Sequence, residues 1–259
     1  MQTHEVFNQS PPFENINLFG GHPFLKKLIS LAGANWCQED LEKYGNLMGS
    51  RGWIEKGHLA NKYPPVFRSH DRFGKRIDQV DFHPAYHEIM QTGMENKLHS
   101  LPWLNPKKGS HAARLALNYL HAQNEAGSNC PITMTFSCVP ALSKHFAMAN
   151  SWLPKITAPY YDARNIPFYD KKALTIGMAM TEKQGGTDVR ANTSQAKALG
   201  KKGNGELYAI TGHKWFCSAP MSDAFLTLAG QNTVDDLFRS HKEKEMIQDL
   251  RNGFAKDTI

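Results

Sequence analysis

The hydrophobic spacing of this chain changes period near Ala173, and that change decides what the chain can fold into. Up to Lys172 the apolar residues recur three and four apart, the spacing that lines one side of a helix. Beyond it they come in short runs bounded by Gly, Pro and Asn, which suit strands. The spacing predicts helices over 22–31 (Phe24, Leu25, Leu28, Ile29, Leu31) and 39–48 (Leu41, Tyr44, Leu47, Met48). A third runs from about Trp53 to Tyr63, closed by Pro64 and Pro65, because a residue before proline is pushed out of the helical region. Residues 73–76 read as a turn inside an extended stretch. His83-Pro84 opens the next helix, with proline at its first position and Tyr86, Ile89, Met90 and Met94 as its buried face.

The longest helix is expected over 110–125. Ala113, Leu115, Ala116, Leu117, Tyr119 and Leu120 make it apolar on more than one side, hence central; Gly127-Ser128-Asn129 would end it. Pro131 and Pro140 would bracket a short segment, with a last helix from Pro140 to Trp152 and a linker punctuated by Pro154, Pro159 and Pro167. The second part reads as a buried strand over 173–180, a partly alternating stretch over 192–199, a hairpin loop over 200–205 carrying Asn204-Gly205, an alternating strand over 206–211 and a strand over 224–229. This segment is expected to be antiparallel. Val234 to Phe254 is charged and reads as a weak amphipathic helix or a disordered tail. The fold class is therefore α+β: a helical domain over 1–172, a partial antiparallel β domain over 173–229, and a charged tail over 230–259.

Composition removes several function classes. With 41% hydrophobic and 21% charged residues the chain can build a core, which sets it apart from disordered segments. No apolar run reaches the ~18–20 residues of a membrane span, and the N-terminus lacks the basic and apolar regions of a signal peptide, so a cytoplasmic location is expected. The net charge is +6, but Lys and Arg number 15 against 12 Asp and Glu in residues 1–150, and the same in 151–259. An excess spread that evenly lacks the concentrated stripe of a nucleic-acid surface. The four cysteines, Cys37, Cys130, Cys138 and Cys217, form no C-x-x-C pair and are expected to be reduced. His83 and His87 have the spacing of a metal pair, but Pro84 makes His83 a cap and no third ligand accompanies them, so no metal site is expected.

Two segments carry the candidate chemistry. Residues 178–189 (M-A-M-T-E-K-Q-G-G-T-D-V) offer hydroxyls at Thr181 and Thr187 and two adjacent glycines that let backbone N–H groups approach a phosphate. The segment is neither a P-loop nor a dinucleotide fingerprint, since the defining Gly and Lys positions are absent. On spacing alone an ordinary hairpin turn accounts for it. Residues 212–218 (G-H-K-W-F-C-S) place Trp215 beside Ser218. A strand Trp is ordinarily a core residue; it could equally flank an aromatic cofactor.

The two segments resemble the acyl-CoA dehydrogenase family, whose loop is written T-E-x-x-x-G-S-D and whose following strand is written G-x-K-x-[WF]-[IF]-[ST]. Residues 3–9, 82–87 (F-H-P-A-Y-H), 121–128 and 130–136 (C-P-I-T-M-T-F) resemble its alkylation-response (AidB) branch, so the resemblance covers about residues 2–229. It implies an N-terminal helical domain, a middle β-barrel of which only part is present here, and a C-terminal helical bundle that lies outside this chain. It also implies FAD, bound by Met178, Ala179, Met180, Thr181, Glu182, Lys183, Gln184, Gly185, Gly186 and Thr187 and by Trp215, Phe216, Cys217 and Ser218. Thr181 would meet the pyrimidine edge of the flavin, Thr187 the pyrophosphate and Ser218 the N5–O4 edge; Thr181, Thr187 and Ser218 would also face substrate. Family members oxidise acyl thioesters at a CH–CH bond. AidB-like members bind double-stranded DNA, mainly through their C-terminal part, protect against DNA alkylation, and are homo-oligomers.

The resemblance lapses after Ala229. The catalytic carboxylate, most adenosine contacts and the DNA-facing region would lie in the portion not matched, so the chain is expected to be a truncated or frameshifted member with no catalytic residue of its own, weak or absent FAD binding and an unpaired sheet edge. The alternatives are a non-catalytic binding or assembly module, or an inactive product.

Overall fold

A computed structural model describes residues 3–144, 146–203 and 205–230, with side chains at 146–148 not described. The expected helix or tail over 234–254 lies outside the described residues.

The helical part contains α1 (Pro23–Leu31), α2 (Gln38–Met48), α3 (Arg51–Lys62), α4 (Pro84–Glu95), the single turn α5 (Leu101–Leu104), α6 (Ser110–Asn124), α7 (Asn129–Ser143) and α8 (Phe146–Ile156). Between α3 and α4 an antiparallel hairpin pairs β1 (Val66–His70) with β2 (Arg76–Asp81), turning where the sequence predicts. Both His-Pro pairs begin helices in the same way. The ring of His22 accepts from Leu25 N, that of His83 from Ala85 N, and the following proline has no N–H to satisfy. The His83 ring is thus a cap, and its spacing from His87 reflects helix geometry.

Phe19, Leu41, Tyr44, Met48, Met90, Leu98, Leu120 and Ile132 form the main core. Removing each such side chain from water contributes about 1.5–3 kcal/mol. At its centre, Tyr44 Oη lies 2.7 Å from His121 Nδ1, and His121 Nε2 lies 2.8 Å from Ser128 Oγ, tying α2, α6 and the start of α7 together. Glu125 then accepts from the backbone N–H groups of Gly127 and Ser128. Residues 127–129 therefore start α7, where the sequence reading has them end α6. That reading also makes α6 apolar all round. Only one face is buried (Ala113, Ala116, Leu117, Leu120), and Leu115 and Tyr119 are exposed. On α1 only Ile29 is buried, while Phe24, Leu28 and Leu31 face outward.

The prolines behave differently from expectation. Pro140 lies inside α7 and Pro154 inside α8. Without an N–H, Pro140 leaves the carbonyl of Phe136 unpaired in the helix ladder. The indole of Trp103 donates to that carbonyl at 3.0 Å, so the helix continues through the proline.

A second core of Cys138, Val139 and Leu142 from α7, Ile156 from α8, and Leu174 and Ile176 joins the helices to the β segment. Ile176 N donates to Thr135 Oγ1 at 3.0 Å across the same seam. The β segment contains β3 (Ile176–Ala179), β4 (Gln195–Ala198), β5 (Tyr208–Thr211) and β6 (Ala224–Thr227). Strands β4 and β5 pair antiparallel across the expected hairpin, but β3 and β6 pair parallel, with Ile176 opposite Ala224. The segment is therefore mixed. The β4–β5 hairpin is an excursion between two strands running the same way, and alternation within single runs says nothing of that direction. Among the described residues the strands form two-stranded pairs and no closed barrel. No described helix is long and apolar enough to cross a membrane.

Candidate functional site

Strand β3 ends at Ala179 and releases the chain into the loop 180–188. Residues 212–218 run beside that loop. Trp215 N donates to Thr181 O at 2.9 Å, and Glu182 bridges to Lys214 in antiparallel fashion. The two predicted segments are thus one surface, although residues 212–218 do not form the expected strand. Phe216 has φ 59° and Ala219 φ 50°. A bulky residue in the left-handed region costs on the order of 1–3 kcal/mol and persists only when its surroundings impose it.

The imposing group is Glu182. Its side chain has no exposed surface. One carboxylate oxygen accepts from Thr193 N at 2.7 Å and Thr193 Oγ1 at 3.0 Å, and from the Gln184 amide. The other accepts from Ser194 N at 2.9 Å and Lys214 Nζ at 3.3 Å. Burial by itself raises the carboxyl's pKa, but the hydrogen bonds from Ser194, Thr193 and Gln184 outweigh it and hold the group well below the usual glutamate range. Glu182 therefore faces inward and fastens the loop to β4 and to Lys214. At its far end, Asp223 holds the 212–223 segment. It accepts from Lys171 Nζ at 2.7 Å and from Thr175 N at 2.8 Å, the ion pair being almost fully buried.

Upon this scaffold sit exposed rings and, among the described residues, three hydroxyls without a hydrogen bond. Trp215 is 40% exposed and Phe216 77%. Their rings meet edge to face, and the His213 ring stacks on the indole with 25° between planes. The hydroxyls of Thr181, Thr187 and Ser218 carry no hydrogen bond among the described residues. Gly186 packs so closely on Thr181 that a Cβ there would lie 2.9 Å from Thr181 Oγ1.

The other predicted residues divide in two. Lys183, Gln184 and Cys217 are exposed, with Lys183 Nζ 5.3 Å from the Trp215 ring centre and the Gln184 amide turned to Glu182. Ala179 is buried and Met178 packs on the second core, so both support the loop from below. Met180 contributes its carbonyl, which accepts from Asn192 Nδ2. The reading from sequence missed Thr193, Ser194, Lys171, Thr175 and Asp223. Hydroxyl residues and a lysine at a domain junction have no periodicity that marks them as partners of a distant carboxylate. The surface sets two exposed aromatic rings beside the hydroxyls of Thr181, Thr187 and Ser218. Among the described residues no group of three or more His, Cys, Asp or Glu side chains could hold a metal ion.

Comparisons with known proteins bear on this surface. Residues 8–163 match the family described as the adaptive response protein AidB N-terminal domain, and residues 177–247 the acyl-CoA dehydrogenase middle domain. The second match runs past the change of character at 230. AidB of Escherichia coli (strain K12), named as an acyl-CoA dehydrogenase, is 44% identical over 230 residues, which are 88% of this chain and 42% of that protein. Acyl-CoA dehydrogenase family member 11 of Caenorhabditis elegans is 28% identical over 211 residues, 79% of this chain and 32% of the relative. Among solved structures, C. elegans ACDH-11 in complex with C11-CoA superposes with a TM-score of 0.72 at 23% identity, covering 91% of this chain and 40% of that one. Bd2924 in its apo form gives 0.73 at 25% identity, covering 86% and 44%. The chain spans less than half the length of each of these relatives.

Proposed function

Because the chain belongs to the acyl-CoA dehydrogenase family, in its AidB branch, we propose that the surface of loops 180–188 and 212–218 is one wall of an FAD site in an acyl-CoA dehydrogenase-like flavoprotein. The observation that carries this reading is the pairing of exposed Trp215 and Phe216 with three unengaged hydroxyls on a backbone fixed by Glu182. These groups fit the isoalloxazine and its polar edges. Thr181 and Ser218 would hold the ring edges, Thr187 and the backbone at Gly185-Gly186 the pyrophosphate, and the aromatic pair the ring face. The flavin, when bound, supplies the hydride-accepting chemistry; this chain's residues bind, orient and shield it.

The substrate class proposed for the whole protein is an acyl-CoA-like thioester, supported by the family and by the C11-CoA bound to ACDH-11. The abstracting carboxylate and any contact with double-stranded DNA belong, in this reading, to the part of an AidB-type protein beyond these residues. The same reading places the protein in the cytoplasm and in the oxidoreductases acting on CH–CH groups.

Titration of the chain with FAD, followed by tryptophan emission, tests the wall. Weak saturable quenching is expected, lost in Trp215→Phe and weakened several-fold in Thr181→Val. No quenching up to on the order of 1 mM FAD, which corresponds to a binding free energy of only about −4 kcal/mol, would count against a flavin surface.

A further inference from the structure

A cavity of about 470 Å³ opens between α4, β2, the segment 161–175 and the loop 219–223. It shares no lining residue with the flavin wall. Its size falls within the range of about 300–1,000 Å³ typical of small-molecule sites. We propose that this cavity is a second ligand site, selective for a neutral heteroaromatic ring with a hydrogen-bond donor and acceptor along one edge.

Neutrality follows from the charges. Four carboxylates line the cavity, and each is matched by its own base: Asp78 by Arg76, Asp81 by Arg68, Asp162 by Arg164 and Asp223 by Lys171. Arg164 and Lys171 line it too, and their charges are already used. Among the described lining residues no cation stands without a carboxylate and no carboxylate without a base, so an anion or an ammonium group would have to displace a partner already in place. Releasing one from its pair would leave a charge uncompensated, and at the buried Lys171–Asp223 pair that is costly.

The aromatic preference follows from the walls. Phe82 stacks on Tyr86 with centroids 4.0 Å apart, and the His87 ring lies nearly parallel to Tyr161, 24° between planes. A flat ring meets such walls in offset-stacked or edge-on geometry. The edge preference follows from two unengaged polar atoms. His87 Nδ1 is occupied by Tyr161 Oη at 3.2 Å, which leaves Nε2. Burial lowers the His87 pKa, so the ring is neutral near pH 7 and its nitrogens present one donor and one acceptor. Ser222 lines the cavity, and its Oγ has almost no exposed surface and no hydrogen-bond partner among the described residues, a state that ordinarily costs free energy; rotation about the Cα–Cβ bond would turn it to a ligand and relieve that cost.

The test uses the full chain with adenine and nicotinamide as neutral probes, and AMP and nicotinate as their anionic counterparts. Saturation-transfer NMR and calorimetry measure each. At least one neutral probe is expected to bind saturably and more tightly than its anionic counterpart. His87→Phe keeps the aromatic wall and removes the ring nitrogens. It and Ser222→Ala should each weaken binding about 3–10-fold, the loss expected of one neutral hydrogen bond, with circular dichroism unchanged. Trp215→Ala, which alters the flavin wall, should leave it unchanged. The proposal is overturned if neither neutral probe saturates, if the anionic probes bind as well, if His87→Phe and Ser222→Ala have no effect, or if Trp215→Ala abolishes binding. Its outcome is independent of FAD titration.

Discussion

Two imidazoles in the helical part are fully buried, and this makes the stability of the chain depend on pH in a window where its carboxylates do not titrate. His121 sits between Tyr44 and Ser128 with no exposed surface, and His99, also without exposed surface, reaches only the carbonyl of Ala158. Burial pushes each pKa down to about 4; for His121 the nearby Glu125 opposes the shift weakly, and for His99 the hydrogen bond to Ala158 does. An unfolded histidine has a pKa of about 6.5. The unfolded chain therefore takes up protons first as the pH falls, and stability declines below about 6.5 until the folded groups also titrate near 4. From these protonation ratios each imidazole removes about 2 kcal/mol between about pH 7 and pH 5. Together they remove about 4 kcal/mol, a large part of the ~5–15 kcal/mol of an ordinary domain. Urea unfolding followed by circular dichroism should show a midpoint falling by about 1.3–2 M over that interval, for a slope of about 2–3 kcal/mol/M. In His121→Gln one of the two fully buried imidazoles is gone, so the pH-dependent part should fall by nearly half, with the half-buried His87, whose pKa burial also lowers, keeping a smaller share, whatever the variant's stability at neutral pH. A wild-type midpoint unchanged between these pH values, or a variant with the full dependence, would refute the assignment of buried neutral histidines.

Three further outcomes are expected. Glu182→Gln replaces one accepting oxygen by a donor facing the donors of Thr193, Ser194 or Lys214, and should cost about 3 kcal/mol in urea unfolding; because the folded carboxyl titrates below the usual range, this difference should persist above pH ~4.3 and shrink as the pH falls further. Trp103→Phe strips the Phe136 carbonyl of its donor opposite Pro140 and should lower stability by about 1–3 kcal/mol, whereas with Pro140→Ala, which restores the helix donor, the same change should cost less; equal costs in both backgrounds would sink the explanation of the proline. Gly186→Ala should shift stability by less than about 1 kcal/mol yet weaken FAD quenching several-fold, since the new methyl displaces the Thr181 hydroxyl.

How much of this architecture was legible depends on the range of the interactions that make it. Helices α1 to α4 and α6 are set by periodicity and by caps such as His22-Pro23 and His83-Pro84, all within four residues, and they form where the sequence places them. The errors arise where a distant group intervenes. Pro140 reads as a helix boundary because nothing nearby replaces its missing N–H; the replacement is Trp103, 37 positions earlier in the chain. The hairpin of β4 and β5 is legible from its turn, whereas the parallel pairing of β3 with β6 joins residues 48 positions apart and leaves no mark in either run.

The candidate site divides along the same line. The side chains proposed to touch a ligand, Thr181, Thr187, Trp215, Phe216 and Ser218, stand in two short segments that spacing alone reads as a turn and a core tryptophan, and only the family resemblance singles them out. What holds them is not local. Glu182 is fastened to Thr193 and Ser194, and Asp223 to Lys171 and Thr175. A ligand-facing residue must leave its polar atoms free, so it has no internal partner to constrain it; the constraint must come through the backbone from groups that are fully engaged. Phe216 shows the consequence: an exposed aromatic at φ 59° would relax to an ordinary backbone conformation unless both ends of its segment were fixed. The buried carboxylates are the fixing points, one at Lys214 and one at Asp223. Loss of either is therefore expected to disorder the aromatic wall before it disturbs the helical core.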